Sequence, residues 1–315
     1  RGQLQEKTVK TENIQHIYSF HTATSADAPT GNWQAKVTVG GATFTKRIRI
    51  ETFKPNRLKI NLDFGKNELV ADESLEGKLQ VNWLHGAAAR DIKTEVKVQL
   101  RSTKTEFKNY GDYAFDDPAR SFSGSAQTIF NNNTDDDGKA LVTTKISTND
   151  AAPGKMKANF SIRAYEKSGD FSSDNFSMPY NPYDGYVGLR IPTKRNGEKR
   201  LDINKSYNIN VVSLSANGRV RSNKNLKVGL YRVNWRWWWD SGSDNVSNYS
   251  SSSHYGALEK ANLKTNSKGQ AAWNIKIDDW GRYLVRVCDE ETGHCTGDIF
   301  YAGYPWDDEN NANKQ

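Results

Sequence analysis

The chain has 315 residues, of which 36% are hydrophobic and 26% charged, with 9 Trp, 14 Tyr and 12 Phe. That length exceeds one ordinary domain and fits two or three. The aromatic share excludes wholesale disorder, and the absence of any run of about 18 apolar residues excludes a membrane-spanning helix. The net charge of +7 invites a nucleic-acid partner. Yet Lys36, Lys46, Arg49, Lys93, Lys97, Arg282 and Arg286 are spread singly along alternating segments with acidic residues between them, which reads as solvated sheet faces and no nucleic-acid footprint. The sequence opens at Arg1 with neither Met nor a signal-peptide pattern, so it reads as a piece of something larger.

In chain order the periodicity is that of strands. Trp33, Ala35, Val37 and Val39 alternate with Gln34, Lys36 and Thr38; past Gly40-Gly41, Ile48 and Ile50 alternate with Arg47 and Arg49. Val96, Val98 and Leu100 alternate with Glu95, Lys97 and Gln99. Asp137-Gly138, Asn196-Gly197 and Lys268-Gly269 supply further turns between apolar segments. No stretch of a dozen residues carries helical spacing, so the expected fold class is all-β.

The chain also repeats itself. Thr134-Asp135-Asp136-Asp137-Gly138-Lys139-Ala140 leads into a strand reaching Lys145-Ile146, and Thr265-Asn266-Ser267-Lys268-Gly269-Gln270-Ala271 leads into one reaching Lys276-Ile277. Leu79-Gln80-Val81 matches Ile209-Asn210-Val211, and Val96–Leu100 matches Leu226–Leu230. A third echo follows a glycine, at Gly31-Asn32-Trp33, Gly154-Lys155-Met156 and Gly281-Arg282-Tyr283. These matches predict one antiparallel β-sandwich unit of about 120–130 residues in tandem. Residues 1–52 would be the C-terminal strands of a first copy, 53–180 a second, 186–304 a third, and 305–315 a tail. Half a sandwich cannot cover its own inner face, so the first copy is expected to be incomplete. Pro55 and Pro179-Tyr180-Asn181-Pro182 mark the joints, where proline stiffens a short linker and sets the modules in a rod or an arc.

Chemistry is sparse. With Glu291-Thr292 as a two-residue hairpin loop, Cys288 and Cys295 stand opposite one another within reach of a disulfide. Such a bridge points to an oxidising space, a periplasm or the cell envelope. His16, His21, His85, His254 and His294 lie in different units or turns, without metal-ligand spacing or a nucleophile elbow, and read as surface or turn residues. Asn133–Gly138 resembles the start of a calcium loop, but Thr144 stands where a bidentate Glu is needed, so an Asx turn is the simpler reading. No catalytic residue, metal or cofactor site is expected. Trp235, Trp237 and Trp239 would share one strand face, opposite Arg236 and Trp238. They read as packing in a core or an interdomain joint; the alternative is a platform for a carbohydrate-binding or adhesive surface protein.

Several segments resemble the bacterial α2-macroglobulins. Thr30-Gly31-Asn32-Trp33 through Phe53-Lys54-Pro55-Asn56-Arg57-Leu58 resembles a junction between their macroglobulin domains. Trp83-Leu84-His85-Gly86-Ala87-Ala88-Ala89 resembles their W-L-x-G-A-P-A signature, with Ala88 in the proline's place. Phe107, Tyr110, Tyr113 and Phe115 before Asp116-Asp117-Pro118 fit the same domain. Tyr186–Arg190, Tyr231-Arg232, Trp235–Asp240 and Thr292-Gly293-His294 with Phe300-Tyr301 are similar to the domain after it, close to the family's bait region. The resemblance implies a protease trap, in which a protease cuts an exposed bait, the molecule contracts and a Cys–Gln thioester captures the attacker. Cys288 is followed at the thioester offset by Glu291, which has no amide, so no thioester is expected here. The chain would then be noncatalytic scaffold. Its partners would be other macroglobulin domains of the same polypeptide and, through the whole protein, target proteases, with neither nucleic acid nor membrane contacted.

Overall fold

The computed structural model describes residues 7–11, 17–21, 31–50, 56–148, 152–194, 197–233 and 257–304. It divides into two units, residues 1–55 and 56–315, and no helix occurs among the described residues.

The first unit is a hairpin of β1 (Gly31–Val39) and β2 (Ala42–Ile50), paired so that Val39 faces Ala42. Its loop is Gly40-Gly41, both at positive φ, as a two-residue turn that follows the strand twist demands. Trp33, Ala35, Val37, Phe44 and Ile48 fall on one face through this register, and Val37, Phe44 and Ile48 are exposed.

The second unit holds two sandwiches of identical strand order. In the first, β3 (Leu58–Asp63), β5 (Ser74–Trp83) and β8 (Lys139–Lys145) form one sheet in the order β3-β5-β8. The facing sheet comprises β4 (Leu69–Val70), β10 (Phe171–Asn181), β9 (Met156–Tyr165), β6 (Lys93–Ser102) and β7 (Gln127–Asn133), in that order. In the second sandwich β11 (Gly185–Arg190), β13 (Ser206–Ser215) and β16 (Gln270–Lys276) form the smaller sheet. The larger runs β12 (Arg200–Asp202), β18 (Cys295–Gly303), β17 (Gly281–Asp289), β14 (Asn225–Val233) and β15 (Glu259–Lys264). Each strand of the second copy stands where the strand eight places earlier stands in the first, including the parallel pairs β4–β10 and β12–β18.

Side-chain alternation explains the layers. Along β6, Thr94, Val96, Val98 and Leu100 point inward between half-exposed neighbours, and β5 buries Leu75, Leu79 and Val81. Each sandwich has its own core, one running from Leu58 to Tyr180 and the other from Val187 to Ala302. The repeated turn works identically in both. Asp135 Oδ1 accepts the amides of Asp137 and Lys139, and Asn266 Oδ1 accepts those of Lys268 and Gln270. The turn glycines Gly138 and Gly269 have positive φ, and their carbonyls accept the amides of Val81 and Ser213. A Cβ on Gly138 would come within 2.4 Å of the Val81 carbonyl oxygen, so close backbone approach as well as φ requires glycine there.

The connection between the sandwiches differs from expectation. Pro179 and Tyr180 are not linker residues: β10 continues through Asn181, and Tyr180 is wholly buried in the first core with its hydroxyl donating to the Ile146 carbonyl. Pro179 is tolerated because β4 pairs only with Tyr180 and Asn181, leaving the Pro179 nitrogen on an unpaired stretch of edge. Only Pro182-Tyr183-Asp184 remains to join β10 to β11.

Candidate functional site: the joint between the sandwiches

So short a connection does not make the joint by itself. The long loop 103–126 between β6 and β7 leaves the first sandwich and lies against the second. Ala114 exchanges two backbone hydrogen bonds with Leu189 of β11, at 2.8 and 2.9 Å. Thr296 Oγ1 donates to the Ala114 carbonyl at 2.9 Å, and the Gly297 amide donates to that of Asp116 at 3.1 Å. The loop is anchored at its base by the Asp117 amide on the Pro153 carbonyl, and the Thr105 amide and hydroxyl tie Asp116 to Lys155.

Aromatic rings fill the space this creates. Phe107 and Phe115 (centroids 4.7 Å apart) pack with Tyr186, Val212 and Leu214 into a third buried cluster, distinct from the two sandwich cores. Gly188 is the seat for Phe115, since a Cβ there would come within 2.5 Å of the ring. Tyr110 and Tyr113 extend the cluster outward, where Arg190 stacks on Tyr113 and pairs with Asp112 at 2.5 Å. Lys155 Nζ sits 4.5 Å from the Phe107 centroid and donates to the Ala216 carbonyl; burial lowers its pKa. These rings recover area that each sandwich alone would expose.

Charge completes the joint. The Asp117 carboxylate, with a side chain 0% exposed, receives Arg286 of β17 through contacts of 2.7 and 3.1 Å and lies 3.3 Å from Arg120. Arg120 donates onward to the Tyr183 hydroxyl and the Gly293 carbonyl, each at 3.0 Å, and to Cys295 Sγ at 3.4 Å. Arg286 is therefore no solvated sheet residue: the sheet face it occupies is covered by a loop from the other sandwich.

His294 likewise departs from the expected surface or turn histidine. It stands in the β17–β18 turn yet is wholly buried, with Tyr186 at 4.7 Å and Tyr183 at 5.0 Å between ring centroids. Its Nδ1 accepts the Val187 amide at 3.0 Å, which fixes the neutral tautomer with the proton on Nε2. Burial, with the nearby Arg120 charge adding to it, pushes the pKa down to about 3. Enclosed in this way, and with Nδ1 taken by the Val187 amide, the ring serves as a structural acceptor.

The Cys288–Cys295 disulfide is present, joining directly opposed residues of β17 and β18 with Cα atoms 4.1 Å apart. The hairpin loop inside it has four residues in place of the expected two. Asp289, not Glu290, is the last paired residue, because its carbonyl accepts the Gly293 amide and its carboxylate the Glu291 amide. Gly293 takes positive φ, giving the four-residue loop Glu290–Gly293. Arg221, at 2.5 Å, pairs with the enclosed Asp289 carboxylate and braces the turn from beneath. The bridge thus staples the turn that presents His294 and the Gly293 carbonyl to the joint. The Asp135 carboxylate is engaged by backbone amides, as an Asx turn requires. Among the described residues no group of three or more His, Cys, Asp or Glu stands close enough to hold a metal ion. Trp235, Trp237, Trp238 and Trp239 lie outside the described residues.

Of these joint residues, sequence reading reached Phe107, Tyr110, Tyr113 and Phe115 through family likeness and the cysteines through spacing. It missed Asp117, Arg120, Tyr183, Tyr186, Arg286 and His294 as partners. A signal was available: β11 and β13 carry the runs Tyr186-Val187-Gly188-Leu189 and Val211-Val212-Ser213-Leu214, apolar on both faces, as a strand covered from both sides is.

Two copies of one sandwich topology, docked through a long aromatic loop, define a tandem macroglobulin-type β-sandwich protein. Residues 56–182 match the bacterial alpha-2-macroglobulin MG5 domain and residues 188–304 match bacterial macroglobulin domain 6. The chain belongs to the bacterial α2-macroglobulin family. It is 24% identical over 306 residues to an alpha-2-macroglobulin of Xylella fastidiosa, covering 94% of this chain and 18% of that protein. To the alpha-2-macroglobulin of Escherichia coli K12 it is 20% identical over 322 residues, covering 96% and 19%. The native conformation of E. coli alpha-2-macroglobulin superposes with a TM-score of 0.56 at 18% identity over 89% of this chain and 18% of that one. The trypsin-activated E. coli protein gives 0.55 at 18% identity, over 89% and 19%. The chain thus spans under a fifth of the length of these relatives.

Proposed function

We propose that the chain is a noncatalytic scaffold section of a bacterial protease-trapping macroglobulin, and that it works in the periplasm or cell envelope. The observation that carries this reading is the joint: an enclosed ion pair, a buried histidine and a third apolar cluster fasten the two sandwiches to one another. A trap that contracts after cleavage needs such stiff sections to pass displacement from one place to another. Relatives described as activated by trypsin or by porcine elastase support the protease connection. The disulfide supports an oxidising compartment.

For Trp235, Trp237, Trp238 and Trp239 we propose packing against another module and not glycan binding. Their segment connects β14 to β15, the place in chain order that loop 103–126 holds between β6 and β7. Soluble glycans are then expected to leave tryptophan fluorescence unchanged.

The trapping reading is tested on the parent protein incubated with trypsin, a large protein substrate and a small peptide substrate. Protection of the protein with continued cleavage of the peptide, accompanied by a change in hydrodynamic radius, is the expected result. Digestion of both without a size change counts against it.

A further inference from the structure

The Cys288–Cys295 bridge has two unlike ends. Cys288 is partly exposed near the end of β17, whereas Cys295 is 4% exposed and lies beneath Arg120, whose Nη2 donates to its sulfur. The charges behind Cys295 are unbalanced: Arg120 and Arg286 share the single carboxylate of Asp117, leaving one net positive charge. Around the turn, Lys227 pairs with Glu290, Lys224 with Glu291, and Arg221 with Asp289 and Glu291, so those groups largely cancel.

We propose that Cys288–Cys295 is a directional thiol-exchange site for a dithiol reductant, attacked at Cys288 with Cys295 leaving as a thiolate held by Arg120. An incoming thiolate forms a bond to Cys288 Sγ as the Cys288–Cys295 bond breaks and its electron pair passes to Cys295 Sγ. The second thiolate of the reductant then attacks its own sulfur in the mixed disulfide, releasing Cys288. The reductant leaves oxidised as a cyclic disulfide, and the two cysteines end reduced. A leaving thiolate departs faster the lower its pKa, and an adjacent guanidinium lowers it. Because Arg120 belongs to the other sandwich, redox state and joint are linked: whatever holds Arg120 in place favours reduction, and reduction in turn strengthens the hold of Arg120 on the turn. Arg120 is a positioning residue in this scheme. The proposal goes beyond the scaffold reading and does not depend on protease trapping.

The test uses the whole 315-residue chain. Brief exposure to glutathione followed by acid quench, alkylation and peptide mapping is expected to place the glutathione adduct on Cys288 and the alkyl group on Cys295. Reduction by dithiothreitol is expected to slow about three- to tenfold in Arg120→Gln and to recover in Arg120→Lys, which keeps the charge. Simple loosening of the joint would uncover Cys295 and speed reduction, so the direction of change separates polarisation from structural damage. An adduct on Cys295, or a rate in Arg120→Gln equal to or faster than the parent, overturns the proposal.

Discussion

Asp117 is wholly enclosed and faces two guanidinium groups, Arg286 across the joint and Arg120 on its own loop. Removing one member of such a group leaves the opposite charge desolvated, so Asp117→Ala is expected to cost about 3–5 kcal/mol in urea unfolding. Arg286→Met in that background should cost much less than it does alone; equal costs in both backgrounds would mean the two residues are not coupled. His294 gives a prediction in pH. Its folded pKa of about 3 lies below the ordinary value of 6.5, so the unfolded chain takes up a proton that the folded one refuses. Its contribution is fully present above pH 6.5 and is lost as the pH falls from there to about 3, at about 1.4 kcal/mol per pH unit. His294→Asn retains an acceptor for the Val187 amide without titrating there. Its stability should fall less steeply across pH 6.5 to 4.5, and an unchanged slope would assign the titration elsewhere.

Elements differ in how openly the sequence declares them. The β1–β2 hairpin, β5, β6, β13, β14 and the repeated Asx turns were legible, because each is specified by neighbours two to five residues apart. The loop 103–126 was not. Its residues follow no period, and its partners on β11, β17 and β18 are distant in sequence: Asp117 and Arg286 are 169 residues apart. The Pro179–Pro182 segment misled for a related reason, since proline is a breaker only where its missing N–H would have been paired. The seat of the loop can be probed at Gly188. Gly188→Ala drives a Cβ into the Phe115 ring and is expected to destabilise by about 1–3 kcal/mol. Most of that penalty should vanish in Phe115→Leu, measured as non-additivity in denaturant midpoints. A full penalty in both backgrounds would place the clash somewhere other than the ring.

On the scale of the whole molecule, two modules that look independent in strand order belong to one compact unit that begins at Asn56. A three-residue connection would by itself permit a hinge. The Phe107–Phe115–Tyr186 cluster, the Asp117 pairs and the Ala114–Leu189 exchange close it. Urea unfolding of this segment is therefore expected to be a single transition by both near-UV circular dichroism and hydrogen exchange, with Phe115→Ala plus Asp117→Ala separating it into two. Two transitions in the unaltered protein would mean that the interface contributes less than either core.

The stiffness of the joint is most directly measured by electron–electron resonance between spin labels on Lys59→Cys and Lys276→Cys, exposed strand positions in the two sandwiches. A single narrow distance distribution, broadened by Phe115→Ala with Asp117→Ala, is the predicted result. A broad distribution in the unaltered joint, insensitive to those substitutions, would contradict the account.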